Sequence, residues 1–462
     1  MKSRTVAWLL FGIAGSCLTP LSLCAERIPV FARKYRTSCT TCHTAAPKLN
    51  VLGEAFRLNG YRFPKNQQLL RQEAAIPLGD EAWKELWPRA IWPGELSSSP
   101  GLSLRVVSEL EVRAAPTTNY SWTMRFPSDV YLLAAAPLGS GMATFVEAEW
   151  EPDAGVRVLQ AKVKAQDPLP FLPERALNLW IGLQGLYPLT FADRQIDRAG
   201  ISLFKWQRFS AREVRLARAD GTVLPPSTSQ FRLVQSQPSV ELNGILGGRM
   251  TYGVGVAQGN GVAETDANNH KDVYYRLRYK LGGLRLDGHF DDTTRTPYAR
   301  AGQLYDRSLA LEHFAYWGEE TLTGQSPDPI RALGVSARAL AGPLDIGAGW
   351  TRVEYGAPWG DVRNDEAHFT SLFAKAEYIA LPWLIASLKG EHFVFSESAV
   401  LRRDGYVRGA PNEDVLAPGV IALVRANVRL VAEGELYISD RRSREAGRGR
   451  PHVLWLRLDL SF

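Results

Sequence analysis

Cys39 and Cys42 stand three positions apart and are followed at once by a histidine, giving Cys39-Thr40-Thr41-Cys42-His43. Two thiols at this spacing can add across the two vinyl groups of one haem, and the adjoining imidazole can then ligate the iron from the same side. The same residues admit two other readings, a reversible vicinal disulfide or half of a zinc site. A redox disulfide has no use for His43, and no second cysteine pair completes a zinc ribbon. The expected cofactor is therefore one covalent haem c, held by Cys39 and Cys42, with His43 as the proximal iron ligand.

The distal ligand is less evident. Neither histidine nor methionine occurs between Thr44 and Thr123. Either the iron is five-coordinate, or an unusual group binds it, or the ligand comes from the long remainder of the chain. His289 falls on an expected lumen face and is the candidate distal ligand. His313, His368 and His392 fall on the apolar parity, His270 and His452 lie near strand ends, and Met124, Met142 and Met250 stay open.

A leader accounts for where the four cysteines lie, all within the first 42 residues. Lys2 and Arg4 precede the apolar run Val6 to Ile13, and small residues lead to Ser22-Leu23-Cys24-Ala25. This reads as a secretory signal peptide over 1–25, cut after Ala25, and the run is too short for a spanning helix. A lipid on Cys17 or Cys24 is the alternative. Residues 26–100 are expected to form a small α-helical plug around the haem. Pro47 can open a helix on which Leu49, Leu52 and Phe56 share a face, and Gly60 can close it. Arg27, Arg33, Lys34 and Arg36 either pair with haem propionates or form a solvated basic segment.

From about residue 100 the pattern changes to period-two alternation, the mark of strands with two unlike faces. Leu102, Leu104, Val106, Leu110 and Val112 alternate with polar residues, as do Leu284, Leu286 and Phe290. So do Ala422, Val424, Ala426 and Val428, and finally Leu454, Leu456, Leu458, Leu460 and Phe462. A soluble sandwich would also alternate. Segments of about ten residues, short turns at Gly282-Gly283, Gly342-Pro343 and Leu381-Pro382, and the aromatic last residue favour a membrane barrel instead. Seventeen segments qualify, with the long–short parity breaking near 292–303, and an even number is the rule. The expected fold is mainly β, the helical c-type cytochrome plug being followed over 101–462 by a transmembrane antiparallel β-barrel of about 16 strands. Stretch 187–236 lacks steady alternation and carries Arg194, Arg198, Lys205, Arg208, Arg212, Arg215 and Arg218. A solvated loop is its default reading, an inward constriction or an outer patch against lipopolysaccharide the others. With 45% hydrophobic and 22% charged residues and a net charge of +6, the chain is neither disordered nor a helical multi-span protein. Nor does so modest a charge argue for nucleic acid.

Ala32, the Cys39-to-His43 motif, Leu49, Gly53, Phe56, Gly60 and Tyr61, followed by a barrel, resemble the fused monohaem cytochrome–porins of the outer membrane, such as those of iron-oxidising bacteria. The resemblance implies a haem plugging the barrel and passing electrons between an extracellular donor or acceptor, ferrous iron among them, and periplasmic carriers. The chain departs from the iron-oxidiser pattern at Thr44-Ala45-Ala46-Pro47 and at Glu54, where arginine is expected. The expected location is the outer membrane of a Gram-negative bacterium, in contact with its lipid.

Three functions compete. The first is an electron-transfer cytochrome rather than a conventional enzyme, working with a periplasmic electron carrier such as a cytochrome c. Its outer acids Glu319, Glu320, Asp361, Asp365, Glu413 and Asp414 would gather cationic metal or merely solvate the loops. The second is a porin or solute transporter with a haem-bearing gating or sensing plug, in which Arg276, Arg278, Lys280, Arg285, Arg425 and Arg429 select anions. The third is peroxidase chemistry at a five-coordinate iron.

Overall fold

The computed structural model describes residues 30–35, 37–63, 75–77, 95–97, 101–114, 122–139, 141–169, 171–197, 199–225, 227–259, 268–289, 298–300, 303–321, 326–359, 365–406, 411–440 and 452–461. The signal peptide, with Cys17 and Cys24, lies outside them, as do Arg27, Arg36, Arg198 and Asp361. Sixteen strands among the described residues form one wall. They are β1 (Leu102–Arg113), β2 (Trp122–Leu138), β3 (Met142–Glu151), β4 (Gly155–Gln166), β5 (Asn178–Gly185), β6 (Ser236–Leu246), β7 (Met250–Ala257) and β8 (Asp272–Gly282), then β9 (Gln303–Glu320), β10 (Asp328–Gly342), β11 (Leu344–Tyr355), β12 (Ala367–Leu381), β13 (Leu384–Glu397), β14 (Asn412–Arg425), β15 (Val428–Asp440) and β16 (Val453–Ser461). Each pairs antiparallel with the next in chain order, and β16 pairs with β1, Leu456 opposite Leu110, so the barrel closes without an edge.

The alternation explains the inside-out burial. On β10, Leu333 and Val335 point outward and are 40% and 44% exposed, whereas Ser336 and Arg338 point inward and are buried. β1 does the same, with Leu102 and Leu104 outside and Arg105, Glu109 and Glu111 inside. An apolar outer band is what lipid demands of a strand that crosses it. No helix among the described residues is long and apolar enough to cross a membrane. Turns 139–141, 247–249, 382–383 and 426–427 lie at one end, with the start of β1 and the end of β16. The strand ends Ala257 and Asp272, Tyr355 and Ala367, Glu397 and Asn412, and Asp440 and Val453 lie at the other, the loop end. In outer-membrane barrels the short-turn end is the periplasmic one.

Two alternating stretches are not single strands. Gly282 and Gly283 both take positive φ (70° and 60°), which ends β8 and turns the chain, so Leu284 and Leu286 are buried in a turn segment. Residues 298–300 then pair only with the start of β9, which accounts for the break in parity near 292–303. Likewise β14 ends at Arg425 and β15 starts at Val428, so 422–428 straddles a turn, with Arg425 exposed in it.

Segment 186–235, between β5 and β6, does not solvate; it fills the loop-end half of the lumen. Its Phe191, Phe204, Trp206, Phe209 and Phe231 are buried against Phe314, Tyr316, Tyr355, Phe369, Phe373 and Phe393 of the wall. Trp206 packs tilted against Phe373 at 5.1 Å and Phe209 against Phe393 at 4.9 Å between ring centroids. The loop-end acids hold it in place. Glu391 accepts from the Trp206 amide at 3.1 Å, Glu320 from the Ser229 hydroxyl at 2.7 Å, and Glu413 pairs with Lys205 at 2.7 Å. Arg208, Arg212 and Arg215 face solvent between these apolar anchors.

The N-terminal unit comprises α1 (Val30–Lys34), a single turn Cys39–Thr41, a hairpin of 43–45 with 48–49, and α2 (Val51–Leu58). Helix α2 starts four residues later than Pro47 suggests. Pro47 sits in the hairpin turn, and Asn50 caps the helix by accepting from the Leu52 and Gly53 amides. Gly60 takes φ 64° just beyond the helix, as its expected stop requires.

Candidate functional site

The motif is held from below by α2. The Asn50 side chain caps the helix through its oxygen and donates through its nitrogen to the Thr40 and Thr41 carbonyls, both at 3.1 Å. The Asn50 amide donates to the Cys42 carbonyl at 2.9 Å. One residue thus ties the motif loop to the helix start. Gly53, a turn later, lets the helix approach: a Cβ there would press on the Cys42 carbonyl, with Leu49 Cδ2 at 2.9 Å. Sequence reading missed Asn50, although a capping side chain just before an apolar periodic run is a readable signal.

Cys39 and Cys42 are free thiols and, with His43, open onto one cavity of about 1200 Å³, counting the solvent at its mouth. The plug supplies Phe31, Tyr35, Phe56, Tyr61 and Phe63, and the turn end of the wall supplies Arg105, Leu133, Ala135, Phe145, Asn427 and Ser461. The aromatic side chains form one mutually packed set, Phe31 edge-on to Phe56 at 5.0 Å and Tyr35 edge-on to Phe63 at 4.8 Å. Burial pushes the Cys42 thiol up to about 12, with Cys39 adding repulsion, and raises Cys39 as well. Burial pulls the His43 imidazole down to about 4, against the Pro47 and Lys48 backbone. The histidine is therefore neutral, the form that ligates iron. Its Nδ1 is buried without a hydrogen bond of good geometry. An aromatic-lined cavity bearing two thiols and a neutral imidazole fits a haem attached at Cys39 and Cys42.

The structure does not bring His289 there. It sits in the turn after β8, with its Nδ1 3.3 Å from Asp287, and does not line the cavity. Neither a second histidine nor a methionine or lysine is among the described residues that do. Of the flanking basic residues, Lys34 is buried near the Tyr35 ring, its Nζ 5.6 Å from the centroid.

Polar ties seat the plug in the lumen. Glu54 pairs with Arg278 of β8, Lys48 with Asp345 (2.5 Å) and Glu377, and Arg57 with Asp193 of the inner segment (2.6 Å). Arg62 donates to Gln166 at 2.8 Å and Asn59 to the Asp287 carbonyl at 3.2 Å. Five of the six cations expected to select anions are themselves paired, Arg278 with Glu54, Arg276 with Glu241, Lys280 with Asp306, Arg285 with Asp287 and Arg429 with Asp459, while Arg425 is exposed at the turn after β14 and so does not line the lumen.

No protein-family model matches the chain, nor does any curated protein. Among solved structures it is similar to Salmonella typhi OmpF in complex with daunomycin, at 11% identity and a TM-score of 0.51 over 80% of this chain and 98% of that one. It is similar to the anion-selective porin from Comamonas acidovorans at 10% identity and a TM-score of 0.50, over 79% and 99%. At such identities the likeness is one of fold. A closed 16-strand antiparallel barrel with an apolar outer band and a charged interior is the porin architecture, and it places the chain in the outer membrane of a Gram-negative bacterium.

Proposed function

We propose that this outer-membrane barrel is an electron-transfer protein that carries one haem c on Cys39 and Cys42, with His43 as iron ligand. The observation that carries the reading is the convergence of both thiols and the imidazole on one aromatic-lined cavity. A bound haem would supply a one-electron iron couple, with no proton-transfer group required. The chain's own residues do the rest. Asn50 and Gly53 fix the motif loop, the aromatic set and Phe145 keep water from the cofactor faces, and the buried surroundings tune the potential. The cavity lies at the short-turn end, where a periplasmic electron carrier docks. The opposite half is filled by segment 186–235, and electrons need no open passage through that packing. The outer donor or acceptor, ferrous iron among the candidates, acts at the loop end.

A second reading, a porin or solute transporter with a haem-bearing gating or sensing plug, is favoured by the likeness of the wall to porins, one of them anion-selective. Solutes, unlike electrons, do need an open passage, and the apolar fill around Trp206 opposes that. The two separate in sealed liposomes that enclose a redox dye, with an impermeant reductant outside. Under the first reading the dye is reduced by the intact protein and not by the Cys39→Ala/Cys42→Ala variant. Passage of small solutes by both forms, with no electrons crossing, establishes the second and sinks the first.

A further inference from the structure

Beside the thiol cavity, and sharing Arg57, Tyr61, Phe145 and Gln195 with it, lies a second cavity of about 1040 Å³ including the solvent at its mouth. It lies between α2 and strands β4, β5 and β8. Its walls carry five cations, Arg57, Lys162, Lys164, Arg276 and Arg278, but only three carboxylates, Glu54, Asp193 and Glu312. The arginines are neutralised. Arg57 pairs with Asp193, Arg276 pairs with Glu241 on the inward face of β6, and Arg278 takes Glu54 and Glu312.

The lysines are not. Lys162 donates to the Gln160 amide oxygen at 2.9 Å, and Lys164 reaches only the Arg57 carbonyl at 3.5 Å. Among the described residues no carboxylate lies within 4.0 Å of either amine. Their side chains are deeply buried, at 9% and 3% exposure. Both ammonium groups sit over the same indole, Trp180, at 5.1 and 4.6 Å from its ring centroid. A buried charge without a counter-charge is costly, and two of like sign on neighbouring inward positions add repulsion. The ring face offsets part of that cost. Loss of a proton, or a bound anion, would offset the rest.

We propose that this cavity is a dicarboxylate-binding site, with Lys162 and Lys164 each holding one carboxylate over the Trp180 ring. Positions i and i+2 of one strand set the two stems roughly 7 Å apart. That separation suits two carboxylates better than one compact oxyanion. Two sources carry this chemistry: the propionate pair of a haem in the adjoining cavity, or a free dicarboxylate entering the barrel. The site rests on the lysines and not on the electron-transfer reading; only the first source depends on the haem.

The test titrates succinate calorimetrically into the detergent-solubilised holoprotein and into the haem-free Cys39→Ala/Cys42→Ala form, with succinamide as the neutral control. Heat-modified gel mobility verifies the barrel in every variant. Binding to the holoprotein that weakens at least tenfold in Lys162→Gln/Lys164→Gln, and returns in Lys162→Arg/Lys164→Arg, supports a free dicarboxylate. A holoprotein that ignores succinate, but whose reduction potential shifts in the glutamine pair and returns in the arginine pair, supports the propionates, as does lysine-dependent binding confined to the haem-free form. If succinate binding is absent or indifferent to the lysines in both forms, and the potential does not move, the proposal is overturned.

Discussion

Replacing Gly53 with alanine puts the closeness of α2 to the motif loop on trial. A Cβ at this position would stand 2.9 Å from both the Cys42 carbonyl carbon and Leu49 Cδ2, and closer still to the Cys42 carbonyl oxygen. Real Cβ atoms keep beyond 3.0 Å, so the motif backbone has to retreat by about 1 Å. The Leu49 methyl can rotate aside, but the Cys42 carbonyl is backbone and does not give way easily. The Cys42 carbonyl accepts from the Asn50 amide at 2.9 Å, and a retreat stretches that bond along with the Asn50 clamp on Thr40 and Thr41. Overpacking of this kind costs about 1–3 kcal/mol. At 1.4 kcal/mol per tenfold, the open form of the plug rises roughly 5- to 150-fold. Native-state proteolysis reads that population directly when opening is fast relative to cleavage. The matched control is Gly390→Ala on β13, where the nearest atom to a Cβ is 3.7 Å away. Gly53→Ala is expected to be cleaved in the plug at a rate raised by that factor, with barrel gel mobility unchanged and the control at the wild-type rate. Cleavage of Gly53→Ala at the wild-type rate refutes the close-approach argument, and equal acceleration in the control shows that the assay reports on the wall.

Three further outcomes follow from the same contacts. Asn50→Ala loses the helix cap and is expected to cost about 0.5–2 kcal/mol in the same proteolysis assay, whereas Asn50→Asp keeps the cap and loses only the donation to Thr40 and Thr41. Arg278→Met strands the buried Glu54 carboxylate and is expected to cost about 3–5 kcal/mol by thermal melting. The Glu54→Leu/Arg278→Met pair should recover the Glu54 share of that loss, Glu312 keeping its hydrogen bonds from Thr190 and Ser336; a double variant as unstable as the single one contradicts the account. Trp206→Ala removes a fully buried side chain from the lumen fill, with an expected loss of about 3–5 kcal/mol. In planar bilayers it should also raise ion conductance above that of the wild type, while a wild type already as conductive as an open porin would contradict the filled lumen.

Much of this architecture was legible along the chain because its causes are local. Alternation at every second residue, with apolar residues recurring from Leu102 to Val112 and from Leu454 to Leu460, specifies a two-faced strand wherever the partner is. Repeated with short turns between, it favours a membrane barrel, whose closure only the pairing of β16 with β1 establishes. The spacing of Cys39, Cys42 and His43 likewise lies within five residues, and the proposed haem attachment rests on it. The local pattern misled where backbone conformation overrode it, as at Gly282-Gly283, and where one run of alternation continued through the turn at 426–427.

Other features belong to tertiary structure alone. Nothing local to 186–235 says whether its apolar side chains meet water or the aromatic inner face of β9 to β13, since most of that partner lies more than a hundred residues away. Glu54 reads as a departure from a pattern until Arg278 is seen opposite it. The cavity wall at Arg105, Leu133, Phe145 and Asn427 is assembled from three strands and a turn, and His289 is kept out of it by a bend in the backbone. Lys162 and Lys164 look like ordinary lumen charges in the sequence. Only the folded barrel shows which of its cations have found a carboxylate, because ion pairing depends on distances that closure of the wall sets.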